Sequence, residues 1–200
     1  MENLHKKSVI ALALTLLASP GAWADSAGEP GRDTGKANPL KNVYFGEQHL
    51  HTSNSPDAFA AGSRQSWDDT YRYGRGEEVV LHTLTTQNKI KRKTPYDFMA
   101  ITDHAEYFGV MPRLIDKSDP LAKTDLAKKL QKNDPSAVQE ILHSILTSTG
   151  MPEFVEPALM QSNWQNYVKV TNKYNDPGKF TTLIAFEWTS IPNGRNMHRN

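Results

Sequence analysis

The sequence has 200 residues, and its 23 basic and 22 acidic side chains give a formal net charge of +1. This balance argues against nucleic acid as a partner, and the basic cluster at Lys89, Lys91, Arg92 and Lys93 is typical of a solvated loop. The absence of cysteine excludes disulfide bonds and lipid attachment at a cysteine, so the core or a bound metal must stabilise the fold.

Residues 1–24 have the pattern of a signal peptide. Lys6 and Lys7 precede an apolar run over residues 9–18, and Ala22 and Ala24 suit cleavage before Asp25. The alternative, an uncleaved anchor, is disfavoured because a membrane-spanning helix needs about 20 apolar residues. We therefore expect an exported protein, periplasmic or secreted, with no stable membrane anchor and with a flexible leader over residues 25–41.

The folded part, residues 42–200, alternates between strand and helix patterns. Buried-strand patterns occur in "NVYFGEQHLHT", "YDFMAITDH" and "FTTLIAFEW", and "EVVLHTLTT" is typical of a strand or hairpin arm. Ser66 and Asp69 predict a capped helix that ends at Gly74 or Gly76, and further helices are expected over residues 120–131 and 135–147. Another helix should place Leu159, Trp164, Tyr167, Val168 and Thr171 near one face and end at "NDPG". This order predicts an α/β fold with parallel strands.

Potential metal ligands follow each of the three strand patterns. His49 and His51 come after the first strand, Asp103 and His104 after the second, and Glu187 after the third. Because parallel α/β sheets and barrels form their sites at the carboxyl ends of the strands, one shared site is expected. Residues at i and i+2 of an extended segment project to one face, so both histidines can bind one cation. A ligand set without thiolates fits Zn, Mn or Fe best, and the Glu187 carboxylate could bridge two of these ions.

Other interpretations stay open for several of these residues. Asp57 follows Pro56 and suits a turn, and Asp103 could support a ligand or cap a loop instead of acting in catalysis. Glu187 could be a surface carboxylate at a strand end, and the composition around His198 favours a plain loop. Arg64, Arg195 and Arg199 could clamp a phosphate or lie idle on the surface.

The motifs resemble those of a known family. The blocks "YFGEQHLHTSNSPDAF", "YDFMAITDHAEYFG", "NDPGKFTTLIAFEWTS" and "GRNMHRN" are similar, in this order, to signature blocks of a bacterial group of PHP-like proteins, the domain-of-unknown-function family 3604. The PHP superfamily, named for polymerase and histidinol phosphatase, is similar at HxH, at the DH after a strand and at the later Glu. The resemblance covers essentially the whole folded part.

The resemblance implies a distorted (β/α)7 TIM-like barrel, of which this chain has only the N-terminal portion, with two or three metal ions per site. His49, His51 and Glu187 would hold one ion, Asp57 and His104 a second, and Glu187 with His198 a third. The family's Asp before the first HxH is replaced by "EQ", where Glu47 is the nearest acidic residue. A further His and an Asp-x-His pair are missing, so we expect a fragment of a longer enzyme.

The function expected from these features is metal-dependent hydrolysis of a small phosphorylated substrate. A water activated by the metal ions would attack the phosphate ester. Asp103, His104 and Arg64 are the candidate catalytic residues, and His104 could protonate the leaving group. The alternatives are an amidohydrolase-type enzyme that cleaves a C–N or ester bond, and a truncated or degenerate metal-binding protein without catalytic activity.

Overall fold

The structure is a computed structural model that describes residues 42–83 and 85–200. The predicted signal peptide (1–24) and leader (25–41) lie outside the described residues. In chain order, the strands and α-helices are β1 Gly46–Glu47, α1 Pro56–Ala60, α2 Trp67–Gly74, β2 Val79–His82, β3 Gln87–Ile90, β4 Phe98–Ile101, α3 Met111–Ile115, α4 Asp125–Gln131, α5 Ser136–Leu146, α6 Pro157–Tyr174, β5 Thr181–Ile184, β6 Trp188–Ser190 and β7 Met197–Arg199.

A three-stranded parallel sheet in the order β1, β4, β5 forms the centre of the fold. Its middle strand is buried, with Met99, Ala100 and Ile101 at most 3% exposed. Helices connect the strands, so the predicted α/β class with parallel strands is confirmed. The sheet orients the carboxyl ends of all three strands toward the same edge.

Strand β1 is shorter than the sequence predicts. Val43, Tyr44 and Phe45 are all more than 60% exposed, and pairing with β4 begins only at Gly46. A Cβ atom at Gly46 would lie 2.3 Å from the Phe98 carbonyl oxygen, so the close approach of the two strands requires glycine.

Strand β5 differs from its predicted burial. Thr182 is buried, but Leu183 and Ile184 are 41% and 47% exposed. These two side chains are exposed because, within the described residues, β5 pairs only with β4 and therefore lies at an edge of the sheet. An apolar run predicts a strand, but it does not reveal how many neighbours that strand has.

Helices α2 and α6 cover one region of the sheet through an aromatic cluster. It contains Trp67, Tyr71, Met99, Ile101, Phe108, Tyr167, Tyr174 and Phe180. The Tyr167 hydroxyl donates a hydrogen bond to the Ile101 carbonyl oxygen at 2.8 Å, which joins α6 to the end of β4. The predicted start of α2 is confirmed because the Ser66 side chain accepts a hydrogen bond from the Asp69 amide, and the helix ends at Gly74 as predicted.

A second, mainly helical cluster is formed by α1, α3, α4 and α5. It contains Phe59, Tyr107, Val110, Met111, Leu114, Leu126, Ala127, Ala137, Ile141 and Phe154. The helix predicted over residues 120–131 is divided into a 3₁₀ turn and α4 at Thr124, whose side chain caps α4. The short helices α1 and α3 are not predicted by the sequence because five residues are too few for a periodic pattern.

Two hairpins complete the described residues: β2 pairs with β3, and β6 pairs with β7, both antiparallel. The hairpin option for "EVVLHTLTT" is therefore confirmed, and Lys89 of the basic cluster lies in β3, where it forms an ion pair with Glu78. The seven strands belong to three separate sheets, so the described residues form no closed barrel. The predicted barrel is not confirmed by this structure.

Over the part of the chain that the structure describes, no helix combines the length and the apolar character needed to cross a membrane.

Candidate metal centre

The three parallel strands and the β6–β7 hairpin bring four of the predicted ligands together around Glu187. Its Oε2 atom lies 3.5 Å from His49 Nε2, 2.8 Å from His51 Nε2 and 3.6 Å from His104 Nε2. Its other oxygen, Oε1, lies 2.8 Å from Nδ1 of His198. Glu187 is only 1% exposed, so one buried carboxylate faces four imidazole rings.

Hydrogen bonds of the main chain hold the segments that carry these side chains against the sheet. Leu50, between the two histidines, bonds through its main chain to Thr102 just after β4 and packs against the aromatic cluster. His104 and Glu187 form a parallel bridge, in which the Glu187 amide donates to the Asp103 carbonyl oxygen. The ligand positions therefore follow from the register of the sheet.

The side chains form three groups that could each hold a cation. The groups are His49, His51 and Glu187; His51, Asp57 and His104; and His104, Glu187 and His198, with the ligand atoms of each group within 4.8 Å of one another. Every residue that the sequence proposes as a metal ligand belongs to at least one group. His51, His104 and Glu187 are each shared by two groups, which suits a cluster of ions rather than separate sites.

Two buried atoms at the centre of the site lack hydrogen bonds. His51 Nε2 and Glu187 Oε2 are only 2.8 Å apart, yet neither forms a hydrogen bond of acceptable geometry. Asp57 Oδ2 accepts the hydrogen bond of His51 Nδ1 at 2.7 Å, so in the neutral ring Nε2 carries a lone pair. Buried polar atoms that lack partners are costly, and two such lone-pair atoms side by side fit a shared cation.

The Asp57 carboxylate belongs to the second ligand group and also supports His51 through a hydrogen bond. Burial alone would raise the pKa of Asp57, but hydrogen bonds from His51 and Ser55 outweigh it and hold the pKa well below its usual value. Ser55 Oγ donates to Asp57 Oδ1 at 2.5 Å and accepts a hydrogen bond from the His104 amide at 3.1 Å. Asp57 thus stays ionised beside His51, and its Oδ2 lies 3.8 Å from His104 Nε2.

The match to known families decides the classification of the chain. Residues 38–200 match the family described as "Protein of unknown function (DUF3604)". The chain belongs to the DUF3604 family. No curated protein and no solved structure matches this chain at a significant level.

His198 reaches the centre of this DUF3604 protein through the β6–β7 hairpin. It lies in strand β7 opposite Thr189, so the plain loop favoured by composition is wrong. Its side chain is 39% exposed, compared with 14% for His104. Of the histidines that contact Glu187, only His49, at 57%, has a more exposed side chain.

Asp103, a candidate catalytic residue, lies beside the cluster but belongs to none of its three ligand groups. It is fully buried, and its oxygens accept hydrogen bonds from the Thr52 amide, the Thr52 hydroxyl and Trp67 Nε1 at 2.5, 2.8 and 2.7 Å. Burial raises its pKa. These contacts join the loop after β1 to α2.

Arg64 and Glu47 also interact mainly with the main chain. Arg64 Nη1 donates to the carbonyl oxygens of Phe59 and Ser63, and its guanidinium lies 3.8 Å above the Phe59 ring. Glu47 Oε1 accepts hydrogen bonds from the amides of Gln48 and His49. Glu47 therefore stabilises the turn that leads into the HxH motif.

Two residues near the cluster are not predicted by the sequence: Glu106 and Thr189. Thr189 Oγ1 lies 2.9 Å from His104 Nδ1, and Glu106 Oε2 lies 3.6 Å from the same atom. Glu106 could have been found from the sequence because it is an acidic residue only two positions after the predicted ligand His104. Thr189 has no comparable signal because a threonine two residues after a ligand is common on any strand.

The pKa of His51 predicts how metal affinity depends on pH. Burial alone would lower this pKa, but the hydrogen bond to Asp57 and the negative charges of Asp57, Glu187 and Asp103 raise it above 6.5. In the metal-free protein, the His51–Asp57 pair contributes its full stability below pH 6.5 and loses it as the pH rises through the raised pKa. A cation at Nε2 must displace this proton, so metal affinity should increase by up to about tenfold per pH unit in that range.

This pH dependence can be measured by calorimetric Mn²⁺ titrations between about pH 6 and about pH 8.5, in buffers with different ionisation enthalpies. Proton release should accompany binding to the wild-type protein. The Asp57→Asn variant should release its proton at lower pH because the ring loses its charged partner. Identical profiles for the two proteins would contradict the role assigned to Asp57.

Proposed function

We propose that this DUF3604 protein is a metal-dependent hydrolase of the PHP type that acts on phosphate esters. The main support is the position of Glu187 after β5, where its carboxylate oxygens face imidazoles from the ends of β1 and β4 and from the β6–β7 hairpin. We also propose that the parallel sheet belongs to a PHP barrel. The protein would be exported to the periplasm after cleavage near Ala24.

In this proposal the residues bind two or three ions of Zn, Mn or Fe. His49, His51 and Glu187 hold one ion, Asp57 and His104 a second, and Glu187 and His198 a third, in agreement with the three groups of side chains. Nitrogen and carboxylate ligands without thiolates suit these metals. When bound, the ions would lower the pKa of the attacking water and neutralise the charge that develops on the phosphoryl oxygens.

The other candidate side chains have either a supporting role or a substrate-binding role in this proposal. Asp103 holds the HxH loop against Trp67, which fits a supporting role better than the catalytic one considered from the sequence. Arg64 is engaged with main-chain carbonyl groups, whereas Arg195 and Arg199 are exposed on the hairpin that carries His198. We therefore assign substrate phosphate binding to the two hairpin arginines.

Hydrolysis assays on the purified protein with Zn²⁺, Mn²⁺ or Fe²⁺ would test the proposal. We expect cleavage of phosphomonoesters or phosphodiesters, and the His49→Ala variant should reduce kcat/KM by at least about 100-fold, since even residues that only support metal ligands contribute about 10–100-fold. The control is His82→Ala, because His82 belongs to β2 and to none of the ligand groups.

The substrate panel should also contain amides and carboxylic esters. Cleavage of these compounds in preference to phosphate esters would replace the phosphoesterase proposal with an amidohydrolase-type activity. Stoichiometric metal binding without hydrolysis of any compound would favour a non-catalytic metal-binding protein. Absence of metal binding would contradict both the proposed activity and the proposed centre.

A further inference from the structure

The side of His104 that faces away from the cluster has its own polar surroundings. Nε2 of His104 points toward Glu187 and Asp57, at 3.6 and 3.8 Å. Nδ1, on the opposite side of the ring, lies 2.9 Å from Thr189 Oγ1. His104 can therefore present a lone pair to the cluster only if its proton is on Nδ1, and Thr189 is placed to accept that proton's hydrogen bond.

Glu106 completes these surroundings with a buried carboxylate. Its Oε1 accepts a hydrogen bond from the Thr189 amide at 3.3 Å, which joins the chain after β4 to β6. Its Oε2 is buried, has no hydrogen bond, and lies 3.6 Å from His104 Nδ1. This distance is too long for a hydrogen bond, but at the buried oxygen the negative charge favours a proton on the facing nitrogen.

We propose that Glu106 and Thr189 are positioning residues that hold His104 in the tautomer with Nδ1 protonated, and so prepare its Nε2 to bind metal. The inference rests on the metal centre of the proposed function and adds residues that the ligand pattern does not contain. Glu106 acts through His104 and is not itself a ligand, because its carboxylate lies on the side of the ring opposite to the cluster.

The geometry around His51 supports this assignment independently. There Asp57 accepts the hydrogen bond of Nδ1 while Nε2 faces Glu187. His104 repeats this arrangement, with the Thr189 hydroxyl as the direct acceptor and the Glu106 carboxylate behind it. Carboxylates that orient metal-binding histidines in this way typically contribute about 10–100-fold to metal affinity.

The proposed effect is selective. His104 belongs to the group with His51 and Asp57 and to the group with Glu187 and His198, but not to the group of His49, His51 and Glu187. Removing the Glu106 charge should therefore weaken only part of the cluster. Thr189 Oγ1 also lies 3.3 Å from His198 Nδ1, so loss of this hydroxyl should affect the same part.

Metal binding to four forms of the full chain would test the inference: wild type, Glu106→Gln, Thr189→Val and His104→Ala. Equilibrium dialysis against Zn²⁺ or Mn²⁺ with elemental analysis gives the affinity of each binding step. The step that His104→Ala abolishes should weaken by about 10–100-fold in Glu106→Gln and Thr189→Val. The step that His104→Ala retains should be unchanged. Glu140→Gln is the matched control, because this half-exposed carboxylate pairs with Lys129 and should leave every step unchanged.

A second readout separates positioning from a merely structural role. Nitrogen-15 NMR of the metal-free protein should show the His104 ring protonated at Nδ1 in the wild type and distributed between tautomers in Glu106→Gln. The melting temperature of the metal-free variant should match that of the wild type. A parallel loss of all binding steps together with a lower melting temperature would overturn the inference in favour of a structural role.

The remaining outcomes also decide the question. Unchanged affinities and an unchanged tautomer in Glu106→Gln would overturn the inference and leave the proposed function intact. Absence of metal binding in the wild-type protein would overturn both. These two failures are distinguishable because the wild-type titration is evaluated first.

Discussion

Replacement of Glu187 by glutamine should abolish high-affinity metal binding without destabilising the metal-free protein. Both carboxylate oxygens face imidazole nitrogens, and Glu187 belongs to two of the three ligand groups. An amide offers one oxygen and no negative charge, so the apparent affinity should fall by more than the roughly 100-fold that a supporting residue can contribute. Hydrolysis should be lost together with the metal.

The thermal stability of the metal-free Glu187→Gln protein should not fall with its metal affinity. Oε2 of Glu187 is buried without a hydrogen bond, and a buried carboxylate with an unpaired oxygen is costly unless a cation neutralises it. Glutamine has nearly the same shape without this charge, so at a pH above the raised pKa of His51, where that ring is neutral, the melting temperature of the metal-free variant should equal or exceed that of the wild type. A metal-loaded wild type should melt at a higher temperature than either.

Elemental analysis and thermal unfolding, each with and without a chelator, measure both effects. Glu77→Gln is the control, since its carboxylate pairs with Arg72 and Arg75 and belongs to none of the ligand groups. A Glu187→Gln protein that retained the full metal content would contradict the central position given to this carboxylate. A strongly destabilised metal-free variant would show that Glu187 is needed for folding itself.

Asp103→Asn should have the second large effect, a loss of about 3 kcal/mol or more in the free energy of unfolding. Asp103 accepts hydrogen bonds from three donors, two on Thr52 and one on Trp67, and it is fully buried. An asparagine amide must place its NH₂ group against at least one of these donors. The buried donor that loses its acceptor cannot turn to water, so the cost is high.

Urea unfolding followed by tryptophan fluorescence measures this change. Trp67→Phe is the graded comparison, because it removes one donor and leaves the two hydrogen bonds from Thr52 in place. It should cost less than Asp103→Asn. An Asp103→Asn protein with wild-type stability, full metal content and no hydrolysis would instead support the catalytic role considered from the sequence.

The sequence predicts the parallel strands and long helices well because their signals are local. The apolar run before Asp103 corresponds to β4, and Ser66 with Asp69 begins α2 as its capping pattern indicates. Short elements such as α1 and α3 have no such signal. The exposure of Leu183 and Ile184 depends on which strands are neighbours, and this is a property of the whole sheet.

In the candidate site, too, the residues with a local sequence signal could be predicted, and those that depend on strand pairing could not. His49, His51, His104 and Glu187 could be grouped from the sequence because each follows a parallel strand, and such strands end at a common edge. Thr189 could not be connected with His104, since the two are 85 residues apart and only the register of β4 and β5 aligns them. The composition around His198 gave no indication of β7, whose pairing with β6 places it near Glu187.

The parallel bridge between His104 and Glu187 has a consequence for how the protein can vary. The helices between these two residues lie outside the bridge, which is held by main-chain bonds from the Ala105 amide to the Glu187 oxygen and from the Glu187 amide to the Asp103 oxygen. Insertions or deletions in the segments between α3 and α6 should therefore change the surroundings of the centre while its spacing persists. A single-residue insertion within β4 or β5 would instead turn a ligand to the opposite face of the sheet.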